Sequence, residues 1–236
     1  MTAAYPVRVS FTNHVTIGDW QALQQAGQLV QLPRRQGLFL QDEQSRDVFV
    51  LLAGAVKVYR TEANGSETML TIRSTGDILG DLAALDGTPR SASVSVLHQV
   101  TARRLTTEQF LAVVDNRKLH SALRRYTNAR LRESDEQRVE IASLPVVQRL
   151  ARALLRLAKA EPDGPNRAML DLGLSQDGLA QLIGASRNAV VTALARFRDD
   201  GLVATAHRRF ELLDLCRLAD LGYRAGPDTD GKSPER

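Results

Sequence analysis

Arg187 and Asn188 stand side by side directly after Ser186. An arginine fork can bond O6 and N7 of guanine, and a carboxamide can bond N6 and N7 of adenine. Val191 and Thr192 follow one helical turn later, and Arg198 lies further along the same side. Val191 can touch a thymine methyl, while Thr192 and Arg198 can reach bases or phosphates. At about 100° per residue these side chains and Ala195 share one helix face. Ala189, Val190, Ala193, Leu194 and Phe197 form the opposite, inward face. The outer face is slim, with small residues between polar ones, so it suits a major groove.

The neighbouring residues are the kind that would position such a face. Ser175 sits where an N-cap belongs, and Leu179, Leu182 and Ile183 share one side of the helix that follows. Gly184 ends that helix in the manner of a left-handed C-terminal glycine, and Ser186 then caps the next. The pattern is helix, short glycine turn, helix. After Gly201, residues 202–213 read as a hairpin with its tip near His207-Arg208-Arg209. A basic hairpin beside a recognition helix is a wing placed to touch phosphates. The alternative is an ordinary helical hairpin with a surface-charged strand beside it.

Earlier in the chain, residues 30–105 read as short strands separated by turns, which points to a small barrel or sandwich. A β-rich run, residues 48–52, is closed by Gly54, and Val56 and Val58 then alternate with Lys57 and Tyr59. Asn64-Gly65 predicts a hairpin turn because both residues tolerate positive φ, with the return strand at residues 67–72. Ala92, Val94 and Val96 alternate with Ser91, Ser93 and Ser95, a strand with one buried and one polar face. Residues 107–111 form a short capped helix, and residues 120–143 run without Gly or Pro. Leu123, Thr127, Leu131, Ser134 and Arg138 make a stripe on that long helix. The stripe fits a dimer seam with a polar section, and equally a solvated surface helix. Pro145 opens a new helix over residues 146–159, and residues 161–165 form a loop. The domain boundary falls near Leu144 and Pro145, and the polar tail 224–236 is expected to be disordered.

Bulk properties exclude other classes. The 236 residues are 43% hydrophobic and 25% charged, an ordinary globular balance with room for two cores. The longest near-apolar run, residues 48–56, is far short of a membrane span, and residues 1–10 lack a secretory pattern. A cytoplasmic protein with no membrane partner is expected. Net charge +4 suits a nucleic-acid partner but does not establish one. The single cysteine, Cys216, cannot build an iron–sulfur cluster, and His14, His98, His120 and His207 show neither metal spacing nor a haem-ligand pattern. No metal, haem or iron–sulfur group is expected. P-loop, Gly-x-Ser-x-Gly and His-Glu-x-x-His motifs are absent, so no enzyme is expected.

Residues 174–190, Leu-Ser-Gln-Asp-Gly-Leu-Ala-Gln-Leu-Ile-Gly-Ala-Ser-Arg-Asn-Ala-Val, resemble the helix-turn-helix of the cyclic-AMP receptor protein/FNR family of bacterial regulators. The resemblance extends through Gly54-Ala-Val-Lys-Val-Tyr, Thr75-Gly-Asp-Ile-Leu-Gly-Asp-Leu and Pro89-Arg-Ser-Ala, and covers roughly residues 30–221. It implies an α+β chain. An N-terminal cyclic-nucleotide-binding-type β-roll with flanking helices would occupy residues 1–119. A dimerisation helix and hinge would follow at 120–144, and a C-terminal winged helix-turn-helix at 145–223. A homodimer would read a pseudo-palindromic operator on double-stranded DNA, with half-sites about one helical turn apart and RNA polymerase as a further partner. The DNA-contacting set would be Ser175, Gln176, Ser186, Arg187, Asn188, Val191, Thr192, Arg198, His207, Arg208 and Arg209.

By the same resemblance the effector set, for cyclic AMP or another cyclic nucleotide, would be Gly80, Asp81, Leu82, Arg90, Ser91, Ala92 and Arg130, with Ser134 and Asp135 over the base. A glycine and backbone N–H groups admit a phosphate, Arg90 can pair with its charge, and Asp81 can accept from a ribose hydroxyl. Alternatively Arg90 pairs with Asp81 in an empty roll. The chain departs from the family pattern at several of these positions. Asp81 replaces a longer glutamate, and Asp135 places a carboxylate near the dimer seam, where Arg138 or a ligand would have to compensate. Asp42 and Arg46 stand where glycines are usual, so the first roll turn is expected to be distorted. Asn188 and Thr192 replace a glutamate and a basic residue, so the operator half-site is expected to differ. The rival readings are a DNA-binding regulator without this effector and a ligand-binding regulatory subunit of a protein partner.

Overall fold

The computed structural model of the chain describes residues 9–158, 166–206 and 209–223. The expected disordered tail and the wing-tip residues His207 and Arg208 lie outside the described residues.

A turn of 3-10 helix at Phe11–His14 leads into α1 (Ile17–Gln25). The β-roll follows, from β1 (Gln28–Leu32), β2 (Gly37–Phe39), β3 (Val48–Thr61), β4 (Glu67–Ser74) and β5 (Ile78–Leu79), then α2 (Asp81–Asp86) and β6 (Ser93–Leu105). The antiparallel order is β1-β6-β3-β4, with β2 also on β6 and β5 also on β3. The frame is thus not a set of evenly short strands, because β3 has 14 residues and β6 has 13. β3 does not stop at Gly54. It bends through that point on register shifts between Leu51 and Val56, and Val56 and Val58 face Val96 and Val94 across the β6 ladder. Bulges of this kind let two long strands wrap a core. In the Asn64-Gly65 turn only Gly65 takes positive φ, at 81°. Asn64 instead accepts from the Ser66 amide at 2.9 Å through its side chain, a local Asx turn. Ala92, just before β6, and Val94 and Val96 on it are buried as the alternation predicts, but Ser93 is buried too, accepting from the Gln41 amide at 2.9 Å.

Asp42 keeps a left-handed backbone at φ 65°, and Arg46 does not need one. Asp42 thus takes a conformation that a glycine would adopt freely, and its N–H donates to Arg90 O at 2.9 Å.

The roll interior is Phe39, Phe49, Leu51, Val56, Leu79, Val94, Val96, Val100 and Ala102. A second core lies between the roll and its helices. It includes Phe11, Leu23, Val50, Phe110, Leu123 and Tyr126, contributed in part by α1, α3 (Thr107–Asn116) and α4 (His120–Ser143). A Thr106/Gln109 capping box starts α3, longer than the five residues expected. Within the single chain the stripe expected on α4 is covered only at its start. Leu123 is buried, Thr127 and Ser134 are half-buried, and Leu131 and Arg138 are exposed. The row that meets the rest of the chain is Tyr126, Arg130, Glu133 and Glu140.

Pro145 caps α5 (Val146–Leu157), which ends two residues earlier than expected. The C-terminal part continues with β7 (Ala168–Leu170), α6 (Gln176–Leu182), α7 (Arg187–Asp199), β8 (Val203–Ala206), β9 (Arg209–Leu212) and α8 (Leu215–Tyr223). Its sheet has the order β7-β9-β8. Its core includes Leu150, Leu154, Leu179, Val190, Leu194, Phe197, Phe210 and Leu212, and it also takes in Ala55, Met69 and Ile72 from the roll. Among the described residues no helix is long and apolar enough to cross a membrane.

Candidate functional site

Ser175 Oγ accepts from the Gly178 amide at 3.1 Å and starts α6. At the other end Gly184 has φ 60°, so the turn needs glycine's backbone freedom, and a Cβ there would press on Ile141 Cγ2 of α4 at 3.2 Å. Arg149 of α5 donates to Ile183 O at 2.8 Å and Gly184 O at 3.0 Å, satisfying carbonyls at the α6 end. Sequence reasoning missed this partner because it lies 34 residues away. Ser186 Oγ then accepts from the Ala189 amide at 3.2 Å and starts α7.

α7 divides as its sequence predicts. Val190, Ala193, Leu194 and Phe197 are buried, and Arg187, Asn188, Val191, Thr192 and Arg198 are exposed on one face. Arg187 Nε lies 3.4 Å from Asp177 Oδ1 of α6. Thr192 Oγ1 donates to Asn188 O at 3.0 Å. Arg198 Nη1 donates to Thr205 Oγ1 at 3.4 Å, joining the helix to the wing strand β8. Arg209 opens β9, where its Nη2 meets Asp171 Oδ2 at 2.8 Å. The face is a cationic and amide-bearing ridge of one helix width beside a hairpin, the shape a major groove admits. Ser175, Gln176 and Ser186 sit at the starts of α6 and α7 beside it.

In the β-roll, Gly80, Asp81, Leu82, Arg90, Ser91, Ala92 and Arg130 line one cavity together with Phe39, Val58, Leu79 and Val94. The alternative in which Arg90 pairs with Asp81 is not what the fold builds. Arg90 is buried, and its fork donates to Gly80 O at 3.2 Å, Asp47 O at 2.8 Å and Ser45 Oγ at 3.2 Å. The guanidinium also lies 4.1 Å over the Phe39 ring. Burial lowers the Arg90 pKa, opposed by the carboxylates of Glu43, Asp47 and Asp81. Asp81 is taken by Arg130, whose Nη1 reaches both carboxylate oxygens at 3.1 Å. Burial disfavours the Arg130 cation, but Asp81, chief among the groups that oppose it, holds its pKa above the ordinary arginine value.

Beneath this pair Tyr126 OH donates to Asp77 Oδ1 at 3.2 Å, and Arg73 Nη2 meets Glu133 Oε2 at 2.6 Å. Burial of Tyr126 raises its phenol pKa, and the Asp77 carboxylate adds to this. The cavity is thus joined to α4 by a buried polar array that apolar periodicity could not reveal.

The structure does not bring Ser134 and Asp135 to this cavity. Ser134 is half-buried, and Asp135 is exposed, 3.4 Å from Arg138 Nη1 as the compensation argument requires. The cavity volume is about 50 Å³. That is space for a water or two, against roughly 300 Å³ or more for a site enclosing a drug-sized ligand.

Residues 29–117 match the model of the cyclic nucleotide-binding domain, and residues 148–221 match that of the Crp-like helix-turn-helix domain. A CRP-like cAMP-activated global transcriptional regulator from Mycobacterium tuberculosis is 30% identical over 202 residues, covering 84% of this chain and 89% of that one. The cAMP-activated global transcriptional regulator CRP of Salmonella typhimurium is 26% identical over 179 residues, covering 73% and 83% of the two chains. The solved structure of FixK2 from Bradyrhizobium japonicum shares the fold, with a TM-score of 0.71 at 19% identity over 84% of this chain and 98% of that one. A β-roll matched to the cyclic nucleotide-binding model, followed by a helix-turn-helix of the Crp type, places this chain in the CRP/FNR family of transcription regulators.

Proposed function

We propose that the chain works as a cytoplasmic homodimer that binds a pseudo-palindromic DNA operator under the control of a cyclic nucleotide in the roll. Residues 1–119 would hold the effector, 120–144 the dimer helix and hinge, and 145–223 the DNA reader. The observation that carries this reading is the set Gly80, Asp81, Arg90, Ser91 and Arg130 around one cavity, with Arg130 supplied by α4. An anionic ligand with ribose hydroxyls would take over donors and acceptors that now satisfy one another. Entry requires the cavity to widen, since about 50 Å³ does not hold a nucleotide. Arg130 sits on the helix that leads to the hinge at Pro145, so this rearrangement would bias the positions of two recognition helices. Ser134 and Asp135 would then lie on or beside the face covered by the second copy. RNA polymerase would be met only by the DNA-bound dimer.

The small volume of the cavity favours a second reading, a regulator that binds DNA without cyclic AMP. Selection of bound fragments from a genomic library, with and without cyclic AMP, separates the two. One palindrome enriched only with the nucleotide supports effector control, and Arg90→Leu should abolish that difference. Equal enrichment in both arms supports the second reading. The third possibility, a subunit docking on another protein, predicts no steeply salt-dependent duplex binding.

A further inference from the structure

The DNA-reading proposal leaves open which bases the α7 face selects, and the local geometry narrows this. Asn188 is exposed in the first turn of α7. Its backbone carbonyl accepts from Thr192 Oγ1 at 3.0 Å, and its side chain is exposed, where a partner outside the chain can reach the carboxamide. Arg187, its neighbour, directs Nε toward Asp177 Oδ1 at 3.4 Å. The two terminal nitrogens of the fork remain for a base edge. The same bond commits the Thr192 hydroxyl proton to the helix backbone, so toward an outside partner the exposed side chain has only an acceptor oxygen and its methyl group. Val191 stands beside it with a wholly apolar surface, 37% exposed. Around these four, Ala195 is small and α7 has no acidic residue before Asp199.

A carboxamide offers a donor and an acceptor together, the pattern that matches adenine N7 and N6 in the major groove. A carboxylate at the same place would offer acceptors alone and match the cytosine amino group. We infer that Asn188 makes this helix select adenine at the base pair next to the one read by Arg187, and that Thr192 contributes through its methyl group to a thymine, not through its hydroxyl. This rests on the DNA-reading function proposed above and specifies its half-site.

The test uses the full chain. A randomised duplex library is selected with and without a panel of cyclic nucleotides, and affinities are then measured for the selected site carrying each base at every position. Replacing the adenine that neighbours the guanine should weaken native binding about 5- to 100-fold. Asn188→Ala should flatten that preference, and Asn188→Glu should move it to cytosine. Thr192→Val, which keeps the methyl, should bind as the native chain does. Thr192→Ser, which keeps only the hydroxyl, should lose about fourfold, the same loss as exchanging the contacted thymine for uracil. If Asn188→Ala discriminates at every position as the native chain does, the assignment to Asn188 is overturned. If Thr192→Ser binds normally and Thr192→Val does not, the methyl assignment is overturned. Absence of salt-dependent binding to any duplex, with every nucleotide, overturns the DNA-reading function itself and this inference with it.

Discussion

Asp42 holds φ 65° at a turn position where glycine is usual in the family. Aspartate tolerates the left-handed region better than most side chains, which is why the turn survives the substitution. Asp42→Val should lower stability by about 1–2 kcal/mol while Asp42→Gly leaves it near native, read as shifts in thermal midpoint. Equal midpoints for the two variants would show that this turn has no left-handed requirement. Arg90 has a structural part as well as the proposed phosphate contact, because its fork satisfies the Gly80 and Asp47 carbonyls. Removing it by Arg90→Leu should therefore cost about 1–3 kcal/mol even without effector. A midpoint equal to native would mean that those carbonyls find other donors. At this scale the recognition face was readable from sequence, since Ser175, Gly184 and Ser186 are local signals for local bonds. The partners of Asp81 and Arg90 were not readable in the same way, because Arg130 is 49 residues from the first and Asp47 43 from the second.

α4 shows why an element's ends can be read from the sequence when its inward row cannot. Its ends were set by the absence of Gly and Pro over residues 120–143, and the helix matches them. Its inward row cannot be found by counting apolar residues, because Arg130, Glu133 and Glu140 each meet an opposite charge supplied by another element. Glu140 is the furthest along and lies 5% exposed, with Arg156 Nη1 at 2.7 and 2.8 Å from its two oxygens and Arg152 Nη1 at 3.4 Å. Arg152 Nε also donates to Gly222 O at 2.7 Å, and its guanidinium lies over the Tyr223 ring. This cluster clamps α5 and α8 to the end of α4 across Pro145. Glu140→Gln keeps the shape and removes the charge, leaving two half-buried arginines without their carboxylate. Amide hydrogen exchange in α5 and α8 should accelerate about 5- to 100-fold, the equivalent of roughly 1–3 kcal/mol. Unchanged exchange would show that the clamp does not restrain the hinge.

The molecule as a whole is tied together across the boundary that the sequence marks at Leu144 and Pro145. Ala55, Met69 and Ile72 of the roll share a core with Leu174, Leu179 and Ile183 of the helix-turn-helix, with Leu97 packed against it. Composition could not show this, since an apolar residue on an outer strand face reads the same whether it meets solvent or another domain. The backbones come close at Gly173, where a Cβ would stand 2.5 Å from Leu97 O and the backbone has φ 66°. Arg34 bridges the same two segments, donating to Leu97 O at 2.9 Å and Gly173 O at 3.4 Å. Any swing of the recognition helices that the proposed effector drives must first separate this contact, so its strength sets how readily the reader moves. A side chain at Gly173 cannot be accommodated with the carbonyl in place. Gly173→Ala should therefore loosen the docking while leaving each core intact. In calorimetry the native chain should melt as one transition, because a shared core couples the two parts, and Gly173→Ala should split it into two. Gly37→Ala is the control, as its added Cβ meets nothing within 4 Å. A single transition at a lower temperature would assign the damage to local strain with coupling preserved. A single transition at the native midpoint would mean that the contact restrains nothing, and that the reader moves freely without any signal from the roll.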